Sequence, residues 1–95
     1  MSERPIVRPT AVPRLPSHVK LRFDRRRDRW VVLAPERVLM PDETALEVLN
    51  LCDGATTVAG IVDALAGRYV AAREDIDRDV REMLQELADK GFVRL

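Results

Sequence analysis

Few side chains in this 95-residue sequence are of the kinds that catalyse reactions. A nucleophile needs a base within reach, and the single histidine, His18, directly follows Ser17. Adjacent residues do not by themselves form a nucleophile–base pair, so His18 reads as a solvent-facing or hydrogen-bonded residue. Cys52, the single cysteine, comes after Leu49 and Leu51 and reads as a small buried apolar residue, not a reactive thiol. One His and one Cys cannot assemble a zinc site, and no glycine-rich phosphate loop is present. Seven acids stand between Glu74 and Lys90, but a charged helix face is ordinarily solvated, so no paired-carboxylate centre is read there. The chemistry-bearing residues point away from an independent enzyme, and no cofactor is expected.

Composition narrows the class further. Apolar residues make up 46% and charged residues 34%, which fits a compact fold and not a disordered chain. Acids and bases are equal at 16 each, so no global attraction to nucleic acid or membrane exists. The balance hides an asymmetry: residues 1–40 carry ten bases and four acids, residues 41–95 six bases and twelve acids. A basic front half joins an acidic back half, and each half can face the other or a separate partner. A lone cysteine excludes a disulfide scaffold within one molecule and favours a reducing, cytoplasmic location. No apolar run has the length of a membrane span or a signal-peptide core.

The elements that would position any site follow from periodicity. Residues 1–17 contain Pro5, Pro9, Pro13 and Pro16, a spacing that forbids helix and reads as a disordered tail or as an extended arm packed on its own domain or a neighbour. Val19, Leu21 and Phe23 alternate with Lys20, Arg22 and Asp24, as in a half-buried strand. Arg26, Arg27 and Asp28 make a turn, and Trp30 to Leu33 form a second strand. Pro35 and Glu36 break the run before a short third strand from Arg37 to Met40. Three helices follow. The first starts at the cap Asp42 and runs to about Asp53, with Gly54 as its left-handed stop. The second is capped by Thr56 or Thr57 and buries Val58, Ile61, Val62, Leu65 and Tyr69. The third runs from about Arg73 to Lys90 and ends at Gly91, with an apolar stripe of Ile76, Val80, Met83, Leu84 and Leu87. The expected fold is therefore α+β and winged-helix-like: a three-stranded antiparallel meander followed by three helices.

A winged-helix layout raises the possibility of a DNA-binding regulator. The third helix, with seven acids and three bases, would oppose the phosphates it had to approach. The basic cluster Arg25, Arg26, Arg27 and Arg29 lies elsewhere, in the hairpin turn. A groove remains. Strand three is a sheet edge, and an extended peptide can add to such an edge while burying side chains against a neighbouring helix.

The run Val31-Val32-Leu33-Ala34-Pro35-Glu36-Arg37-Val38-Leu39, followed by Leu51-Cys52-Asp53-Gly54, resembles the PqqD proteins of pyrroloquinoline quinone biosynthesis. The run Ile61-Val62-Asp63-Ala64-Leu65, then Asp79-Val80 and Leu84-Gln85-Glu86-Leu87, is also similar. The likeness covers residues 18–95, which the resemblance marks as a peptide-recognition domain beyond the arm. It implies a peptide chaperone that binds the ribosomal precursor peptide PqqA and presents it to the radical SAM enzyme PqqE. It also implies that the peptide adds beside strand three, against helix three. Carried over by position, the peptide-binding residues are Arg37, Val38, Leu39 and Met40 on the edge. Asp79, Val80, Met83, Leu84 and Leu87 make the helix wall. Pro41, between Met40 and Asp42, departs from the Leu-Asn or Leu-Asp pair with which many relatives enter helix one, and it limits the pairing edge because it has no N–H. The rival readings are a DNA-binding regulator, a quinone or small-molecule module, and a structural subunit of the enzyme. A monomer and a homodimer are both compatible with a free edge and a proline arm.

Overall fold

The computed structural model describes residues 6–95; the expectations for Met1 to Pro5, including the first proline, lie outside them. Strands β1 (Lys20–Asp24), β2 (Arg29–Ala34) and β3 (Arg37–Leu39) form an antiparallel sheet in sequence order. Helices α1 (Glu43–Asn50), α2 (Val58–Ala66) and α3 (Arg73–Asp89) follow. The α+β meander-then-helices architecture is the expected one.

Register places Leu21, Val32 and Leu39 in one cross-strand row. Val32 is fully buried, and Leu21 and Leu39 pack against the same core. Val48 and Leu49 of α1, Val58, Ile61, Val62 and Leu65 of α2, and Val80 and Leu84 of α3 complete that core. Helix starts are capped as the residue types dictate. The Asp42 carboxylate accepts from the Ala45 N–H at 2.8 Å, and the Thr57 hydroxyl accepts from the Gly60 N–H at 3.0 Å. Helix α3 has no side-chain cap, but Glu74 and Asp75 in its first turn favour the positive end of the dipole. It ends in a Schellman arrangement: Gly91 lies at φ +82°, the Phe92 N–H donates to the Leu87 carbonyl and the Gly91 N–H to that of Ala88. Phe92 and Val93 are thereby returned to the core.

The proline arm is built into its own domain. The first two N–H groups of α2 have no helical acceptors, and the arm supplies them: Ala11 O accepts from Val58 at 2.8 Å and Pro9 O from Ala59 at 3.0 Å. Pro13 O accepts from Gly54, and Arg14 exchanges both backbone bonds with Arg94 at 2.8 and 2.9 Å. Val7 is buried in the core and its N–H donates to Gln85 Oε1. Prolines keep the arm from forming a helix, so the Pro9, Ala11 and Pro13 carbonyls are not spent on helical hydrogen bonds of their own.

Three expectations are corrected. Helix α1 ends at Asn50, with Leu51 as its cap, and not near Asp53. Gly54, although at φ +76°, is not its stop; it lies in the turn that Asp53 organises. There the Asp53 carboxylate accepts from the Ala55 and Thr56 N–H groups and the Thr56 hydroxyl, which holds its pKa below the ordinary aspartate value. Tyr69 is not on the buried face of α2, which ends at Ala66; its ring is half exposed and its hydroxyl donates to Glu47 at 2.8 Å.

Candidate functional site: a cleft between strand three and helix three

Among the described residues strand β3 has one neighbour, which leaves its other side free of them. Which backbone groups face outward follows from the turn. Ala34 and Arg37 close a two-residue loop, Pro35-Glu36, and such a closing pair exchanges both hydrogen bonds. Alternation then turns the N–H and C=O of Val38 away from β2. The loop needs a left-handed second residue after Pro35, and Glu36 supplies it at φ +59°, as in a type II turn. The Val38 side chain is 51% exposed. Arg29 donates to the Pro41 carbonyl at 3.3 Å, fixing the chain where the edge meets α1.

Helix α3 forms the opposite wall. At 100° per residue, Asp79, Met83, Glu86 and Lys90 share one stripe, flanking the core stripe Ile76, Val80, Leu84 and Leu87. Gln85, Arg81 and Asp77 lie on the other flank, where the arm passes. The described part of the arm, residues 6–17, therefore leaves the β3 side of α3 open. A cleft of about 240 Å³ runs between Leu39 and Met40 on one side and Met83, Glu86, Leu87 and Lys90 on the other, closed below by Pro41, Asp42 and Ala45. A second hollow of about 220 Å³ continues it along α3, lined by Thr44, Leu65, Tyr69, Ile76, Asp79 and Val80. Met83 lines both, so the two adjoin at its side chain and together make a trough along α3.

The residues expected at the site divide accordingly. Leu39, Met40, Asp79, Val80, Met83 and Leu87 border the trough. Val80 and Leu87 are almost wholly buried and contribute edges of the floor. Leu84 has no exposed surface and lines neither hollow; it belongs to the core. Val38 contributes its backbone to the free edge, while its side chain lies on the sheet face opposite Leu39 and lines neither hollow. Arg37 is occupied within the fold: its guanidinium donates to the Lys90 carbonyl and stacks over Phe92, 4.5 Å from the ring centroid. It ties β3 to the end of α3 and so sets the width of the cleft at that end. Pro41, Asp42, Ala45, Glu86 and Lys90 escaped the sequence reading. Their part depends on α1 turning under the cleft, although the 83–86–90 spacing carried a trace of it.

The floor is apolar and the rim is acidic. Asp42, Asp79 and Glu86 surround it, and Lys90, the one base, is paired with Glu86 at 2.8 Å. No titratable group is buried in the trough. Cys52 lies away from it; burial, reinforced by neighbouring Asp53, pushes its thiol up to about 12. Among the described residues no three His, Cys, Asp or Glu side chains cluster as metal ligands.

Residues 29–93 match the family model described as coenzyme PQQ synthesis protein D (PqqD). The chain belongs to the PqqD family. A PqqA binding protein of Rhodopseudomonas palustris strain TIE-1 is 64% identical over 84 residues, covering 88% of this chain and 82% of that relative. Among solved structures, the PqqD truncation of Methylobacterium extorquens PqqCD superposes with a TM-score of 0.77 at 42% identity. The match covers 94% of this chain and 95% of that one. That PqqD protein is described as a functional, stand-alone recognition element for ribosomally synthesised and post-translationally modified peptides. A lasso peptide synthetase B1, solved with its leader peptide, shares the fold with a TM-score of 0.77 at 18% identity, over 90% of this chain and 100% of that one. The PqqD fold thus agrees in strand order and helix order with the architecture read from periodicity.

Proposed function

We propose that this chain binds the ribosomal precursor peptide PqqA and presents it to the radical SAM enzyme PqqE in pyrroloquinoline quinone biosynthesis. The observation that carries this reading is the open trough beside the free Val38 edge. Backbone pairing at β3 holds the peptide as a fourth strand, and the apolar floor at Met83 takes its side chains. Residues 18–95 act as the recognition domain, residues 1–17 are its arm, and the described part of that arm, residues 6–17, braces the far side. The role is positional: the bound peptide is held at high effective concentration beside the enzyme, which performs the chemistry. This chain is an accessory protein without catalytic residues of its own, working in the cytoplasm. The relative's description as a PqqA binding protein supports the peptide assignment.

Titration calorimetry of the chain with PqqA, alone and with PqqE present, tests the proposal. Saturable one-to-one binding that persists with PqqE is expected. Binding to PqqE with no binding to the peptide would leave only a structural subunit.

A further inference from the structure

The hairpin joining β1 and β2 carries a surface that the peptide trough does not use. Phe23 and Trp30 face each other across the strands in a T-shaped pair, centroids 5.7 Å apart. Both are exposed, 45% and 40%, on the same sheet face as the buried Val32 but beyond the helices that cover it. Arginines flank them along the hairpin, Arg22 and Arg29 on the opposite sheet face and Arg25, Arg26 and Arg27 in the turn. Arg27 is paired with Asp24, and Arg29 is committed to the Pro41 carbonyl. The side chains of Arg22, Arg25 and Arg26 have no ion pair or hydrogen bond among the described residues and are exposed.

Exposed Trp beside unpaired Arg is the composition of a protein-interface hot spot. A fold that turned Phe23 and Trp30 outward for no partner would forgo burial of two large rings, each a substantial apolar surface. Position adds a reason. Because β3 is antiparallel to β2, the hairpin end of the sheet is also the end where β3 passes into Pro41. Trp30 stands one pair beyond the Val31–Met40 level, next to the mouth of the trough. From Val32, the last β2 residue paired to β3, to Arg29 at the turn is three strand residues, about 10 Å.

We propose that this aromatic–arginine tip docks an acidic surface patch of the enzyme that modifies the bound peptide, holding that enzyme at the Pro41 mouth of the trough. The proposal rests on the presenter role above and adds the surface that performs it. Protein is favoured over nucleic acid because the patch is small and the chain has no net charge, while the acidic face of α3 would repel a polyanion. Arginine at such a tip accelerates encounter, and the rings hold the docked state.

The test pairs the variant Arg25→Glu/Arg26→Glu with Phe23→Ser, both at exposed positions. Affinity for PqqA and affinity for PqqE are measured separately by calorimetry, at low and physiological salt. Unchanged peptide affinity, with PqqE affinity lowered at least about tenfold and its salt dependence flattened for the charge variant, is expected. Unchanged PqqE affinity in both folded variants overturns the proposal. Failure of the wild-type chain to bind PqqA overturns the presenter role instead. Two controls can also overturn the docking assignment: tight binding of short single-stranded DNA, or dimerisation of the chain, if either is abolished by the arginine variant.

Discussion

Replacing Val38 by proline removes one donor from the free edge while leaving the ladder to β2 intact. The register makes this separable: Arg37 and Leu39 direct their backbone groups to Ala34 and Val32, and Val38 directs its groups outward. Proline is accepted on an edge strand when its missing N–H faces away from the sheet. The side chain lost is half exposed, so the stability cost is about 1 kcal/mol or less, a melting shift of a few degrees for a domain of this size. Binding suffers more. A peptide carbonyl left without its donor costs about 1–3 kcal/mol, and about 1.4 kcal/mol is tenfold in affinity. The expected loss is therefore about 10- to 100-fold in the dissociation constant for PqqA. Val38→Thr, which keeps the N–H, should bind within about twofold of wild type, because only a half-exposed side chain changes. Calorimetry gives the affinities, and thermal circular dichroism shows that both variants fold. A Val38→Pro protein that melts normally and binds PqqA as tightly as wild type would falsify strand addition at β3.

Other perturbations follow from the same geometry. Met83→Ala should weaken PqqA binding about tenfold, since a partly exposed Met that becomes covered contributes about 1.4 kcal/mol. Met83→Asp should weaken it further, adding a fourth acid to the Asp42, Asp79 and Glu86 rim; equal affinities for all three proteins would remove Met83 from the site. Glu36→Gly relieves a non-glycine residue at positive φ and should raise the melting temperature or leave it unchanged; a large drop would contradict the turn geometry. Cys52, with its thiol pushed up to about 12, stays protonated at neutral pH. Its modification by a thiol reagent should be very slow in the folded chain and fast in denaturant, and equal rates would mean that the helix end around Cys52 is open.

Much of this fold was legible because local patterns and tertiary packing agree. Alternation at Val19–Asp24, the Pro35-Glu36 break and the 76–80–84–87 stripe each describe surfaces that one neighbour buries. The failures arise where a residue's partner is remote in sequence. Gly54 resembles a helix stop, yet the Asp53 carboxylate and the Pro13 carbonyl claim that turn. Tyr69 continues the α2 periodicity on paper, but the helix ends three residues earlier and Glu47 takes its hydroxyl. The tie of Arg37 to Lys90 and Phe92, more than fifty residues on, likewise lies beyond local pattern. Leu84 and Met83 are neighbours in one apolar run; only the placement of the strands decides that Leu84 is core and Met83 is trough. The service of the arm to the N-terminus of α2 pairs residues almost fifty positions apart, beyond the reach of any periodicity.

The most direct test of the account is amide chemical-shift mapping of the isotope-labelled chain during titration with PqqA. The trough assignment predicts the largest changes at Val38 to Asp42 and along Asp79, Met83, Glu86 and Lys90, with the arm and the Arg25–Arg26 tip little affected. Changes centred on the arm or the hairpin tip, with β3 and α3 silent, would contradict it.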